Sequence, residues 1–561
     1  MSSRQIESEV ALKQKLIILT TLSLFLLNGG FARPLHSPTP IRLAVILVFD
    51  QFRSDYLTRF SPYFLPAKLS NGKVGGFRFL MENGANFVDC RFDHYPLETA
   101  PGHAVISTGG DPYKTGIVAN NWYNSNSKKE TYVVADDAYG QSPRNLFSTT
   151  IGDELKLATG EKSKVVALSL KDRAAILLGG FTANTVLWFD SKTGGWVTSS
   201  FYTKVLPNWV KWINDGGRAQ SFFGKRWKPL ASSSAYHFSR TTRMGQSPKN
   251  ALGIDFPHPV TGGEDHPGEA YYDALLTSPY GNDLTWETAT ASIQGEQLGQ
   301  HDVPDLLAVN FASHDYIGHV FGPFSPEAED AVLRADRALS DFLNYLNRTV
   351  PGGLQSVLLV ATGDHGVAPI PEYLQSLRIP SYRLTTRLVE DMVERDFTAH
   401  FGPGPWVADF IPPYLYFDQE SIAKSHLSQE MLEKEAVRIL SGEPWIEAAF
   451  GKTQILEGRL PRNAFGTAVA KSFVPGRSGD VVLIPRIYEA WYASASAQGT
   501  THLTPYSYDT HVPLLLFGRG VRPGIYAEPV KPNDIAPTFS FLLNTQFPPA
   551  SEGRILKEAL R

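Results

Sequence analysis

Cysteine is almost missing from this chain: Cys90 is the only one in 561 residues. A lone thiol excludes an intrachain disulfide, so packing, with metal ions where the chain takes them, must hold the fold. Charge of one sign is missing too. The 52 Lys and Arg against 56 Asp and Glu leave a formal net charge of −4. That balance removes the usual reason to expect nucleic acid or an anionic membrane as partner, and nothing points to a protein partner. Internal repeats, coiled-coil heptads and low-complexity tracts are absent. So is any later apolar run approaching the roughly 20 residues of a membrane span. The one long apolar run, Leu16 to Leu27, lies at the N-terminus, after Lys13 and Lys15 and before Gly30-Phe31-Ala32. It reads as a signal peptide over residues 1–32, with a retained anchor as the alternative. Export to the periplasm or beyond follows, and the poverty in cysteine fits a bacterial periplasm.

What is present is ordinary globular material, 42% hydrophobic and 19% charged, enough apolar mass for a large core. Six short apolar runs without clean alternation read as strands covered on both faces. They are Leu43 to Phe49, Lys164 to Leu170, Thr185 to Phe189, Asp305 to Phe311, Ser356 to Ala361 and Pro513 to Phe517. Helical segments separate several of them. The clearest starts at Ser325-Pro326, with Glu327 and Glu329 in its first turn and Val332, Ala335, Leu339, Leu343 and Leu346 at helical spacing. This alternation predicts an α/β fold, a mostly parallel central sheet with helices on both faces. The interval of about 370–475 breaks the rhythm with Pro, Gly and aromatic residues, and reads as an inserted cap segment.

Acids and histidines collect where the predicted strands end, the edge at which open α/β sheets build their sites. Asp50 ends the first strand. Ser313-His314-Asp315-Tyr316-Ile317-Gly318-His319 follows the fourth, Asp364-His365-Gly366 follows the fifth, and Asp509-Thr510-His511 stands just before the last. Carboxylates and imidazoles are the oxygen and nitrogen donors that zinc accepts. A second segment, Glu98-Thr99-Ala100-Pro101-Gly102-His103, places a hydroxyl at a turn into a helix, whose free N–H groups suit a phosphate. Taken alone, Thr99 reads as a helix cap and Asn120 as a turn residue. Lys171 and Arg173, two apart at a strand end, share a face and could be no more than solvated cations.

The ordered set Asp50, Thr99-Ala-Pro-Gly-His103, Asn120-Asn121-Trp122, Asp315-Tyr-Ile-Gly-His319, Asp364-His365-Gly366 and His511 resembles the alkaline phosphatase superfamily. The likeness is to its threonine-nucleophile branch, which holds nucleotide pyrophosphatase/phosphodiesterases and bacterial phosphate-irrepressible alkaline phosphatases. It covers roughly residues 41 to 545 and implies an alkaline-phosphatase-like catalytic domain over about 41–550. It also implies two zinc ions, one on Asp315, His319 and His511, the other on Asp50, Asp364 and His365 with the Thr99 oxygen. Thr99 would be the nucleophile, forming a phosphothreonine. Asn120, Lys171 and Arg173 would contact the transferred phosphoryl group. His103 and His314 would be neighbours rather than ligands.

The implied activity is hydrolysis of small-molecule phosphate monoesters, because two cations suit a monoester dianion better than a diester monoanion. The alternative is a phosphodiesterase or nucleotide pyrophosphatase of the same superfamily, which usually lacks the Lys-X-Arg pair. A sulfatase does not fit, since Cys90-Arg91-Phe92 lacks the setting its nucleophile requires. A catalytically silent protein on the same fold would normally have lost a ligand or the nucleophile, and none is lost.

Overall fold

The computed structural model describes residues 40–232, 236, 245–247, 249–494 and 496–561. The signal-peptide reading of residues 1–32 lies outside them. Among the described residues no helix is long and apolar enough to cross a membrane.

The centre is a nine-stranded sheet. In chain order its strands are β1 (Leu43–Phe49), β2 (Ala85–Arg91), β3 (Val165–Ser169), β4 (Thr185–Asp190), β5 (Gly195–Val197), β6 (Asp305–Phe311), β7 (Val357–Gly363), β8 (His511–Gly518) and β9 (Gly524–Tyr526). Across the sheet they run β9-β2-β8-β7-β1-β6-β3-β4-β5. β8 opposes both of its neighbours, and β5 opposes β4. The other pairings are parallel. The sheet is therefore mostly parallel.

β1 shows why these strands lack alternation. Leu43, Val45, Leu47 and Phe49 enter one hydrophobic core, while Ala44, Ile46 and Val48 enter another on the opposite face. Both faces are covered, so both parities must be apolar. The first core packs against Pro279–Gly295 and the long helix Pro326–Thr349. The second packs against Thr99–Thr108, Asp172–Gly179 and Ile535–Leu543. Ser325 caps the long helix, its side chain accepting from the Ala328 N–H.

The register positions the site. Phe49 lies opposite Phe311 on one side and Gly363 on the other, so β6, β1 and β7 finish flush. Whatever follows these residues emerges at one edge. The interval that broke the rhythm carries a separate antiparallel sheet, Val407–Ile411, Tyr414–Phe417, Val481–Pro485 and Ile446–Gly451. Helices Thr386–Phe401 and Gln429–Ser441 contribute to its own hydrophobic cluster. This unit runs past residue 475, because Val481–Pro485 is one of its inner strands.

One buried acid ties the long helix to the sheet's flank. Asp336 accepts from the backbone N–H groups of Leu65 and Phe77, each at 2.7 Å. Asp336→Ala should orphan both donors and lower unfolding free energy by about 2–3 kcal/mol. Urea denaturation checks this, and a loss under about 0.5 kcal/mol would mean that the loop finds other acceptors.

Candidate active site

The flush strand ends deliver Asp50 from β1 and Asp364 from β7. Helix Ser313–Phe321, which starts just after β6, presents Asp315 and His319 one turn apart on one face. All three carboxylates are buried. They fall into two groups with the geometry of metal ligands, Asp50, Asp364 and His365 in one, and Asp315, His365 and His502 in the other.

The histidines are oriented alike. Nδ1 of His365 meets the Gly366 carbonyl at 2.9 Å, Nδ1 of His319 the Thr500 carbonyl at 2.7 Å, and Nδ1 of His502 the Leu97 carbonyl at 2.7 Å. A carbonyl only accepts, so each Nδ1 carries a proton, and each ring when neutral offers its lone pair at Nε2. Those Nε2 atoms face carboxylate oxygens. His319 is 3.1 Å and His502 3.7 Å from Asp315 Oδ1, and His365 is 3.3 Å from Asp364 Oδ2. Among the described residues, Asp364 Oδ2 and His365 Nε2 are buried without a hydrogen-bond partner. Lone pairs aimed at carboxylates, with carbonyl-fixed tautomers behind them, fit divalent metal ions.

Crowding of charge is visible in the proton affinities. Burial, then the neighbouring Asp50 carboxylate, hold the Asp364 carboxyl well above its usual range. Asp315 goes the other way: burial raises it, but His319 and Lys171 outweigh burial and hold it well below. Burial and the nearby His365 and His319 rings keep His502 neutral.

Lys171 sits at the centre. Its Nζ donates to Asp50 at 3.1 and 3.0 Å, to Asp315 Oδ2 at 2.6 Å and to Thr99 Oγ1 at 3.3 Å. Burial disfavours its charge, but Asp315 and Asp50 overcome that and raise its affinity for the proton. Arg173 lies beside it, Nη1 donating to the Tyr132 hydroxyl at 3.4 Å.

Thr99 is the first residue of helix Thr99–Thr108 and is buried. Its hydroxyl does not cap the helix: the N-cap position is Glu98, and no side chain there caps. Asn120 supplies an acceptor instead, its Oδ1 taking the Ala100 N–H at 3.0 Å. Gly102 lets this helix close on the acid cluster, since a Cβ there would lie 2.4 Å from the Asp364 carbonyl. His103 is buried 3.3 Å from Asp364, and burial lowers its pKa to about 4. His314, also lowered to about 4 by burial, packs against Phe49 and Phe52.

The structure thus brings together Asp50, Thr99, Asp315, His319, Asp364, His365 and Lys171, with Asn120 and Arg173 beside them. It does not bring His511. That residue opens β8 opposite Arg91, and its Nε2 meets the Val88 carbonyl at 3.1 Å. It lines a separate cleft of about 380 Å³ with Arg53, Arg91 and Tyr508. The histidine in the cluster is His502, nine places earlier in the loop before β8. The sequence reading sets His511 just before the last strand, and the resemblance makes it a ligand; in the structure it is the first residue of β8 and is paired with Arg91. The start of β8, not its end, lies at this edge, so the preceding loop reaches inward. The histidine in Gly499-Thr500-Thr501-His502, within a polar loop, was the available signal.

Sequence reasoning also missed Gln51 and Glu98. Gln51, at φ 60°, donates its backbone N–H to Asp364 Oδ1 at 3.0 Å and its Nε2 to Asp315 Oδ1 at 2.7 Å, touching one carboxylate of each group. Glu98 accepts the Asn120 N–H at 2.7 Å and Asn120 Nδ2 at 3.3 Å. Burial lifts its carboxyl to about 7, against the pull of that N–H and of Arg173.

With this geometry established, comparison with known proteins assigns the class. The family described as type I phosphodiesterase / nucleotide pyrophosphatase matches residues 44–504, and the chain belongs to it. Among particular relatives, alkaline phosphatase PafA of Elizabethkingia meningoseptica is 36% identical, over 93% of this chain and 95% of its own. Alkaline phosphatase PhoV of Synechococcus elongatus is 33% identical over 93% of each. The crystal structure of wild-type PafA superposes with a TM-score of 0.83 at 34% identity, covering 93% of this chain and 99% of that one.

The two histidines separate experimentally. His502→Ala should lower the metal bound per chain, measured by inductively coupled plasma mass spectrometry, whereas His511→Ala should leave it unchanged. The reverse pattern would restore the reading made from the sequence.

Proposed function

We propose that this chain is an exported, zinc-dependent phosphate monoester hydrolase, an alkaline phosphatase that works through phosphorylation of Thr99. The observation that carries the reading is the Thr99 hydroxyl. It is free of capping duty at a helix N-terminus and held 3.3 Å from the Lys171 ammonium beside the paired acid–histidine groups. Its alkaline phosphatase relatives support the same chemistry.

Asp315, His319 and His502 would hold one zinc; Asp50, Asp364 and His365, with Thr99 Oγ1, the other. When bound, the two ions supply Lewis acidity that favours the alkoxide of a coordinated hydroxyl and offsets charge on the leaving oxygen. Thr99 Oγ1 attacks phosphorus, the Oγ–P bond forms and the P–O bond to the alcohol breaks. Water then cleaves the phosphothreonine, releasing phosphate and restoring the hydroxyl. The Asn120 amide, Lys171 and Arg173 bind the non-bridging oxygens. Gln51 and Asn310 hold the carboxylates, Asn310 Nδ2 donating to Asp50 Oδ2 at 3.2 Å.

A second reading, phosphodiester or nucleotide pyrophosphate hydrolysis, is favoured by the family's own description. The Lys171–Arg173 pair weighs against it, because two cations near the nucleophile, Lys171 buried and Arg173 partly so, match a dianion. Lys171→Ala and Arg173→Ala should each cut kcat/KM for an aryl phosphate monoester by about 10- to 1000-fold, and for the matching diester by less. Equal losses would favour the phosphodiesterase.

The nucleophile has its own test. Thr99→Ala should lose several orders of magnitude in kcat while zinc stays bound, and Thr99→Ser should keep measurable activity. Acid quenching during turnover should trap phosphate on the peptide containing Thr99. Near-wild-type turnover by folded, zinc-loaded Thr99→Ala protein would reject the mechanism.

A further inference from the structure

Asn120 can serve a phosphoryl group only if its NH2 end, not its oxygen, faces that group. A primary amide has two ends of nearly equal shape, and orientation must be set by neighbours. Two do so here. The Ala100 N–H, 3.0 Å from Oδ1, demands an acceptor. The Glu98 carboxylate, 3.3 Å from Nδ2, demands a donor. Turning the amide over would set oxygen against carboxylate and NH2 against N–H, losing both bonds. One Nδ2 hydrogen is then committed to Glu98, and the other remains for substrate.

Glu98 also fixes where the amide stands. Its other oxygen takes the Asn120 backbone N–H at 2.7 Å. The Asn120 carbonyl receives the Val133 N–H at 2.9 Å, at the base of the hairpin Asn121–Asn124/Lys129–Tyr132. Tyr132, at the returning end of that hairpin, meets both Asp172 and Arg173 through its hydroxyl. The anchor at Glu98 thus reaches both sides of the phosphoryl site.

A carboxylate is a poor choice for packing. It is partly buried next to the nucleophile, where it repels the phosphate dianion, and an apolar side chain would be easier to desolvate. What it offers as the anion is two acceptors and no donor. Glutamine, of nearly the same shape, has both and would bond to Asn120 in either orientation.

We propose that Glu98 is a positioning residue, which acts through Asn120 by holding the amide with its NH2 toward the phosphoryl group. The inference rests on the phosphatase reading of the site. It is tested on the zinc-loaded full-length chain with inorganic phosphate as probe, by isothermal titration, alongside kcat/KM for an aryl monoester.

Glu98→Gln and Asn120→Ala should each weaken phosphate binding and monoester kcat/KM by about 10-fold, and the double variant should match Asn120→Ala within about 2-fold. Glu98→Asp keeps an acceptor-only group and should lose less than Glu98→Gln, which also serves if either variant folds poorly. Additive losses in the double variant would overturn the proposal. So would a Glu98→Gln protein with wild-type phosphate binding, or one indistinguishable from Glu98→Asp. Wild-type protein that binds phosphate with this coupling yet hydrolyses no monoester would sink the phosphatase reading and leave the inference standing. Turnover with additive losses would do the reverse.

Discussion

Three carboxylates, Asp50, Asp315 and Asp364, are driven to one buried edge by strands that finish in step. Their mutual repulsion is the constraint around which the site is built. Buried like charges are tolerated only when each is hydrogen-bonded and balanced. The Lys171 ammonium spans Asp50 and Asp315, Gln51 spans Asp315 and Asp364, and Asn310 holds Asp50, itself steadied by the Ser169 hydroxyl. Ser169 and Asn310 come from the same sheet, so the scaffold that concentrates the charge also supplies the groups that tether it. Imidazoles with lone pairs turned toward those oxygens complete a donor set that calls for cations.

Much of this was legible in the sequence, for a definite reason. A strand buried on both faces has no polar parity, so Leu43–Phe49 and Asp305–Phe311 announce themselves as unbroken apolar runs. The acids that follow them are then strand-end acids by counting. What could not be counted was direction. Residues 513–517 look like any other buried strand, yet β8 runs antiparallel to β7, so its start lies at the site edge, and the loop before it supplies His502 while His511 pairs with Arg91 in the sheet. Hydrophobic period records burial, not polarity of the chain. Contacts such as Asn120 to Ala100, 20 residues apart, also leave no local trace.

The helix at Thr99 shows how such a distant contact serves chemistry. A threonine at a helix start usually spends its oxygen on the backbone, worth about 1 kcal/mol. Here Thr99 is one place inside the helix, with Glu98 at the cap position turning its carboxylate away toward Asn120. Asn120 caps from another segment, so the helix keeps an acceptor for one of its free N–H groups while the threonine hydroxyl stays unspent. Glu98, Asn120 and Ala100 then form a closed arrangement in which each polar group fixes the next. Capping and orientation are one interaction seen from its two ends: the amide oxygen that stabilises the helix is the reason the amide nitrogen points where it does. A mutation at Asn120 therefore removes a cap as well as a phosphate contact, and stability must be measured beside rate before its loss of activity is read as chemistry alone.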